Sequence, residues 1–363
     1  MVRIGDPVEE IDTPALLLDL DIMESNIRVM AERFKRMPAD LRPHVKTHKT
    51  PIIAWKQIAA GAIGVTSAKL SEAEAMAEAG IRDILIANQV VGEPKVTRLM
   101  SLAKHSDVIV AVDDSRNVRH LAERAHDKKV KLGVLVEVDV GNNRCGTMPG
   151  EPALQLAKEV MRYSSLDFKG LMGYEGFCQF IPELDARRAK ATEAMDKLVG
   201  TRRLLEDNGV DVDIVSGGGT GTHMITGNHR GVTEVEAGSY VFMDAKYNTV
   251  EGLEGFGQAL TVLSTIVSTS RKDKTICDVG LKTMTFEHGM PLIKGRDDME
   301  YVRGNEEHGH IQVGPGFDLK PGDKFELIPT HCCATTNLYD VLHCVRDGVL
   351  EAVWRVQARG KSQ

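Results

Sequence analysis

What this chain lacks already narrows it. No charge of one sign dominates: 45 Lys and Arg stand against 52 Asp and Glu, and a formal net charge of −7 is spread among interspersed residues. That pattern speaks against nucleic acid and anionic membranes as principal partners. No apolar run approaches the roughly 20 residues a membrane-spanning helix needs. The N-terminus carries no signal-peptide pattern, so the cytoplasm is the expected compartment. Six cysteines in 363 residues (Cys145, Cys178, Cys277, Cys332, Cys333, Cys344) are too sparse for a disulfide framework and are expected to be free thiols or ligands. There is no short-period repeat, no low-complexity stretch, no Walker-type Gly-Lys-Ser/Thr loop and no dinucleotide fingerprint after an early strand. What remains, 42% hydrophobic and 27% charged residues, is ordinary globular composition for one large domain or two smaller ones.

What is present is a rhythm. Residues 12–21 read DTPALLLDLD, and the apolar block 15–18 predicts a buried strand. Helical spacing follows at Ile22, Ile27, Met30 and Phe34, with Asp21 as the expected cap. Short apolar runs then alternate with amphipathic segments. The runs are 42–45, 62–66, 83–87, 107–112, 131–138, 168–173, 211–216 and 234–242. Helical periodicity fills 71–79, 93–102, 118–125, 151–161 and 187–208. Eight strands with helices between them predict a TIM-type (β/α)8 barrel closed by right-handed crossovers. An open doubly wound sheet is the alternative. From about residue 255 the runs become β-rich, at 262–269, 275–279, 324–328, 339–345 and 349–356, with Asp347-Gly348 as a hairpin turn. A mainly β C-terminal domain is therefore expected, and the tail from Arg359 is expected to fray.

Several stretches can carry chemistry. Arg42-Pro43-His44-Val45-Lys46-Thr47-His48-Lys49 places a lysine at a strand end among other cations. Such a lysine can form a Schiff base with a carbonyl cofactor, because a nearby cation favours the neutral amine. The plain alternative is a solvated rim. Ser216-Gly217-Gly218-Gly219-Thr220-Gly221-Thr222 follows the seventh run, and Gly238-Ser239-Tyr240 ends the eighth. Glycines let backbone N–H groups converge on an anion, and barrels often bind phosphate after strands seven and eight. A turn kept tight for packing is the alternative. Arg144, in Asn142-Asn143-Arg144-Cys145-Gly146, can donate to an anionic or phenolic oxygen or can form a surface ion pair. Tyr174 closes the sixth run and can stack on a planar cofactor or sit at the barrel rim. In an extended segment residues two apart point the same way, so His331 and Cys333 can converge while Cys332 points elsewhere. Imidazole plus thiolate is a partial ligand set for a zinc-like cation, with open positions of the catalytic kind. Two buried cysteines beside a hydrogen-bonded histidine is the alternative. His44, His48, His223, His308 and His310 are left undecided.

Taken together, DTPALLLDLD, RPHVKTHK, GNNRCG, GYEG, SGGGTGT, EAGSYVFMDAKY, DVGLK, the EHG at 307–309 and the His331/Cys333 segment ending in TTNLYD resemble the D-threonine aldolase and eukaryotic-type D-serine dehydratase family. That family is built on the alanine racemase type of pyridoxal-phosphate fold, and the pieces recur in family order across nearly the whole chain. The resemblance implies a barrel over 20–252 and a β domain from 1–19 plus 253–363. It implies that Lys46, rather than its rival Lys49, bonds pyridoxal 5′-phosphate. Gly218, Gly219 and Thr220, with Gly238, Ser239 and Tyr240, would hold the phosphate. Arg144 would approach the phenolic oxygen and Tyr174 the ring. His331 and Cys333 would bind a divalent metal (Mn, Mg or Zn) near the substrate hydroxyl, with Lys46 and His331 catalytic. One departure stands out: the aldolase branch usually carries an acid where Cys333 stands, and the dehydratase branch a cysteine. A thiolate favours zinc over manganese or magnesium.

The expected reaction is retro-aldol cleavage of a D-threonine-like D-3-hydroxy amino acid to glycine and an aldehyde, in a homodimer. The longer matching stretches read like the aldolase branch. A dehydratase of D-serine or D-threo-3-hydroxyaspartate, yielding a 2-oxo acid and ammonia, is the alternative. A non-catalytic pyridoxal-phosphate carrier and a sugar-phosphate barrel enzyme are further ones. A racemase of this fold would need a catalytic tyrosine from the second domain, and none can be placed.

Overall fold

The computed structural model describes residues 3–271, 274–314 and 319–363; residues 1–2, 272–273 and 315–318, all within the expected second domain, lie outside the described residues. Among the described residues the barrel has the expected eight strands, seven of them on the predicted runs: Asp40–Leu41, Val65–Ser67, Asp83–Gln89, Asp107–Val112, Leu132–Glu137, Leu166–Gly173, Ile214–Gly217 and Glu234–Val235. Neighbours in this sheet are parallel throughout. The ring closes where Ile63 N–H donates to the Leu41 carbonyl and His44 bridges Thr66 in parallel. The strands read as near-continuous apolar runs because both faces are covered. Ile84, Val110, Val134 and Val136 face the helices, while Leu85, Ala111, Leu135 and Met172 fill the barrel interior.

The first barrel strand ends just before its predicted run at 42–45 begins, and the last is shorter than the sequence predicts. Pro43 has no N–H to give the ladder, and the chain then turns at Lys49, whose φ is 53°. After Glu234–Val235 the backbone enters a 3-10 turn at Ser239–Val241. The first helix, Leu20–Phe34, is capped by Asp19 rather than Asp21, since the Asp19 carboxylate accepts the Ile22 N–H at 2.9 Å.

Beyond the barrel the described residues form a nine-stranded β assembly. The N-terminal strand Ala15–Asp19 runs antiparallel to Leu260–Arg271 and parallel to Val341–Arg346. We propose the division of the chain into 20–252 and 1–19 plus 253–363 on this pairing. Val341–Arg346 and Val349–Arg355 form the predicted hairpin, and Asp347 (φ 49°) and Gly348 (φ 74°) both take the positive φ that a type I′ turn needs. The tail does not fray. Gly360 N–H donates to Asn337 Oδ1 at 2.9 Å, and the Gln363 carbonyl accepts from Ser71 N–H and Oγ. Among the described residues, no helix is long and apolar enough to cross a membrane.

Candidate active site

A cavity of about 450 Å3 opens at the C-terminal ends of the barrel strands. Residues there come from the ends of six of the eight strands: Lys46, Gln89, Glu137, Tyr174, Gly218 and Glu236. This is the face where a barrel presents its loops, so residues distant in sequence converge without distorting the frame. His331 and Cys333 reach the same cavity from the β assembly.

The two candidate lysines part company. Lys49 is buried and ion-paired with Glu72. Lys46 faces the cavity, its Nζ 5.7 Å from the centre of the Tyr174 ring. The Arg144 guanidinium lies 5.5 Å from the same ring and 3.9 Å from Glu137. Burial, helped by the Glu175 charge, pushes the Tyr174 phenol up, so it presents a neutral ring across the working pH range. His44 lines the cavity beside Lys46, and burial together with the Lys46 charge holds it well below its usual value.

Gly218, Gly219, Thr220, Gly238 and Ser239 line one end of the cavity. Gly218 has φ +73°, and a Cβ at Gly238 would stand 2.5 Å from the His44 carbonyl oxygen. These positions therefore admit only a bare backbone, which is what a cradle for a small anion requires. Behind the cradle, the buried Glu175 accepts from Gly218 N–H, Thr222 Oγ1 and Thr226 Oγ1 at 3.1, 2.6 and 2.7 Å. Arg33 donates to His223 Nε2, whose Nδ1 reaches the Thr220 carbonyl at 2.7 Å. Tyr240 is a correction to the predicted set. Its side chain is fully buried and hydrogen-bonds to Gln57 behind the barrel wall. Only its backbone approaches the cradle, donating to Thr220 Oγ1 at 3.0 Å.

His331 and Cys333 do meet, but not by strand geometry. The segment Cys332–Thr336 is a short helix, nucleated where Asp244 Oδ2 accepts the Cys332 N–H at 3.0 Å. Cys332 turns into the core and Cys333 toward the cavity, its sulfur 3.3 Å from Thr47 Oγ1 and 3.8 Å from Ser239 Oγ. The hydrogen bonds from Cys332 and His331 outweigh burial and hold the Cys333 thiol well below its usual value. Burial would lower His331, but Cys333 and Glu287 together raise it to about 9. The lowered thiol and raised imidazole favour the thiolate–imidazolium form of the pair, a donor set that a divalent cation can take over by displacing the proton.

Sequence reasoning missed Glu287, His288 and Glu236. One donor atom from each of Glu287, His288 and His331 lies within 4.8 Å of the others. The EHG matched at 307–309 is not the one beside His331: Glu307 pairs with Lys282, and His310 with Asn305. The copy at 287–289 is. Glu236 immediately follows the last barrel strand, and in a barrel that position is itself a signal. Its Oε1 accepts from Ser216 Oγ at 2.8 Å. Burial, offset in part by that bond and by Lys46, pushes its carboxyl up to about 8.

Glu236 therefore keeps its proton in the folded chain where the unfolded chain, near 4.5, has lost it. Its contribution to stability is complete below about 4.5 and fades as pH rises to about 8. Glu236→Gln removes that proton linkage and keeps the shape. Without cofactor, the variant is expected to be more stable than wild type at pH 8 by on the order of 1–3 kcal/mol, with the gap closing toward pH 5. Calorimetry across that range checks this, and a pH-independent difference would contradict it.

Comparison with known proteins now decides the family. Residues 18–246 match the family described as alanine racemase, N-terminal domain, and residues 259–345 match that described as putative serine dehydratase domain. A D-threonine aldolase of Arthrobacter sp. is 39% identical, with 99% of this chain and 96% of the relative covered. The chain belongs to the D-threonine aldolase and D-serine dehydratase family. A 3-hydroxy-D-aspartate aldolase of Paracoccus denitrificans is 37% identical, covering 98% of this chain and 94% of that one. A D-threo-3-hydroxyaspartate dehydratase of Delftia sp. lies further off at 29%, covering 91% and 93%. The crystal structure of D-threonine aldolase from Filomicrobium marinum superimposes with a TM-score of 0.97 at 38% identity, covering all of both chains. Members of this family are pyridoxal-phosphate enzymes, and the near relatives are carbon–carbon lyases.

Proposed function

We propose that this chain cleaves D-3-hydroxy amino acids between Cα and Cβ, releasing glycine and an aldehyde. The observation that carries the reading is the meeting, in one cavity, of the Lys46 amine, the glycine cradle and the His331–Cys333 pair. The residues fit the two groups the family implies. Lys46 would hold pyridoxal phosphate covalently, Gly218, Gly219, Thr220, Gly238 and Ser239 would take its phosphate, and Arg144 and Tyr174 would border its ring. His331 and Cys333 would hold a divalent cation, and the thiolate favours zinc. When bound, the cofactor supplies an electron sink for charge at Cα, and the cation supplies Lewis acidity at the β-hydroxyl. The chain itself fixes which bond breaks. The cradle and the β-assembly pair hold the substrate from two sides, and that orientation selects the scissile bond. Glu236, pushed up to about 8 by burial, keeps its charge off the cavity wall at neutral pH, and burial pushes Glu137 up as well.

A dehydratase is the second reading, and Cys333 is the residue that favours it. The non-catalytic carrier is disfavoured because a ligand pair from the second domain lines the cavity. Homodimer assembly and a cytoplasmic setting stay proposals, supported by the resemblance and by six cysteines that are all free. The test is release of glycine from D-threonine by the full chain loaded with pyridoxal phosphate and zinc or manganese. No glycine from any D-3-hydroxy amino acid would sink the reading.

Thr220→Val probes the cradle. The valine cannot donate to an anion, and it leaves the Tyr240 N–H without its acceptor. Cofactor affinity is expected to fall by ~1.5–3 kcal/mol, the worth of a hydrogen bond to a charged group. Fluorescence titration of cofactor-free protein reads it, and unchanged affinity would remove Thr220 from the site.

A further inference from the structure

We propose that Glu287 is the positioning residue of the metal pair, holding His331 by Nδ1 so that Nε2 and the Cys333 sulfur face the cavity together. This rests on the reading above that His331 and Cys333 hold a divalent cation. Glu287 Oε2 lies 2.7 Å from His331 Nδ1. A carboxylate only accepts, so it requires the proton on Nδ1 and leaves the lone pair of a neutral ring on Nε2. With Nδ1 occupied, Nε2 is the nitrogen left for a cation that Cys333 also binds. Histidines that bind metals commonly give their second nitrogen to a carboxylate in this way, which orients the ring and raises its basicity.

The neighbourhood is built to hold that contact. The His288 ring packs 5.0 Å from the His331 ring at 35° and 5.3 Å from Phe180. Glu287 thus fixes the edge of the imidazole and His288 one face. The loop carrying both is tied to the His331 segment on either side. Thr330 Oγ1 donates to the Gly289 carbonyl at 3.2 Å, and Thr285 N–H reaches Thr335 Oγ1 at 3.5 Å.

A rival arrangement uses the same atoms, because Glu287, His288 and His331 are close enough to grip a cation themselves. Two observations favour positioning over ligation. His331 and Cys333 line the cavity, and Glu287 and His288 do not appear in its wall. A cation drawn to Glu287 would also leave the Cys333 sulfur, which faces the cavity beside the Thr47 and Ser239 hydroxyls, without a metal bond.

The experiment uses full-length protein carrying pyridoxal phosphate and stripped of metal by chelation, titrated with cobalt(II) and with zinc. Wild type, Glu287→Ala, Glu287→Gln and Cys333→Ser are compared. Zinc affinity is expected to fall about 10–100-fold in Glu287→Ala. It should recover in part in Glu287→Gln, whose amide oxygen still accepts from Nδ1. The cobalt–thiolate charge-transfer band should persist in both, with cofactor absorbance unchanged. Unchanged zinc affinity in Glu287→Ala would overturn the proposal. So would a glutamine variant as impaired as alanine with altered cobalt ligand-field bands, since Glu287 would then be a ligand. If wild type shows no thiolate band that Cys333→Ser removes, the metal pair itself fails, and the Glu287 role with it.

Discussion

Lys46→Ala is expected to lose covalently held cofactor and to cut turnover by at least about 10^3-fold, within the range that removal of a proton-transfer residue costs. The reason is positional. Lys46 is the lysine in the cavity wall, whereas the rival Lys49 is committed to a buried ion pair with Glu72. Freeing Lys49 would strand the Glu72 carboxylate in the interior, and breaking a buried pair costs roughly 3–5 kcal/mol. Lys49 is therefore not expected to substitute. The measurement is borohydride reduction of cofactor-loaded protein followed by peptide mapping. Wild type should carry the adduct at Lys46, and the variant should carry none. An adduct retained in the variant would move the assignment to Lys49.

His331→Ala should leave the cofactor bound and remove metal-dependent turnover. Losing one of the two proposed protein donors should weaken zinc binding by at least about 100-fold, the upper end of what loss of a mere outer-shell partner costs. Cys333→Asp makes the complementary prediction. A carboxylate in place of the thiolate should shift the preferred cation from zinc toward manganese. Activity is to be read after chelation and re-addition of each metal. A wild-type rate indifferent to chelator would show that no metal takes part.

Much of the frame was legible because a barrel strand buried on both faces leaves a run of apolar residues, and eight such runs were countable. Lys46 and the glycines of the cradle could be proposed from sequence because each is a local pattern whose chemistry needs adjacent residues. The misreadings have a common cause. Tyr240 belongs to a predicted phosphate turn, yet a 3-10 turn after Gly238 sends its ring to Gln57 and leaves only its N–H at the cradle. The His331–Cys333 contact was expected from strand alternation and arises instead at a helix start capped from Asp244, almost ninety positions earlier in the chain. Glu287 was invisible because its relation to His331 spans 44 residues and a second EHG competes for notice. Glu236 looks like any surface glutamate until its burial is known. Local patterns declare themselves in sequence, whereas contacts set by how the β assembly meets the barrel do not.

The central claim is that the bond broken lies between Cα and Cβ. Products formed from D-threonine by the full chain, with pyridoxal phosphate and zinc and with a chelated control, test it most directly. Glycine and acetaldehyde in equal amounts are the predicted result. 2-Oxobutanoate and ammonia would contradict it and make Cys333 the mark of a dehydratase.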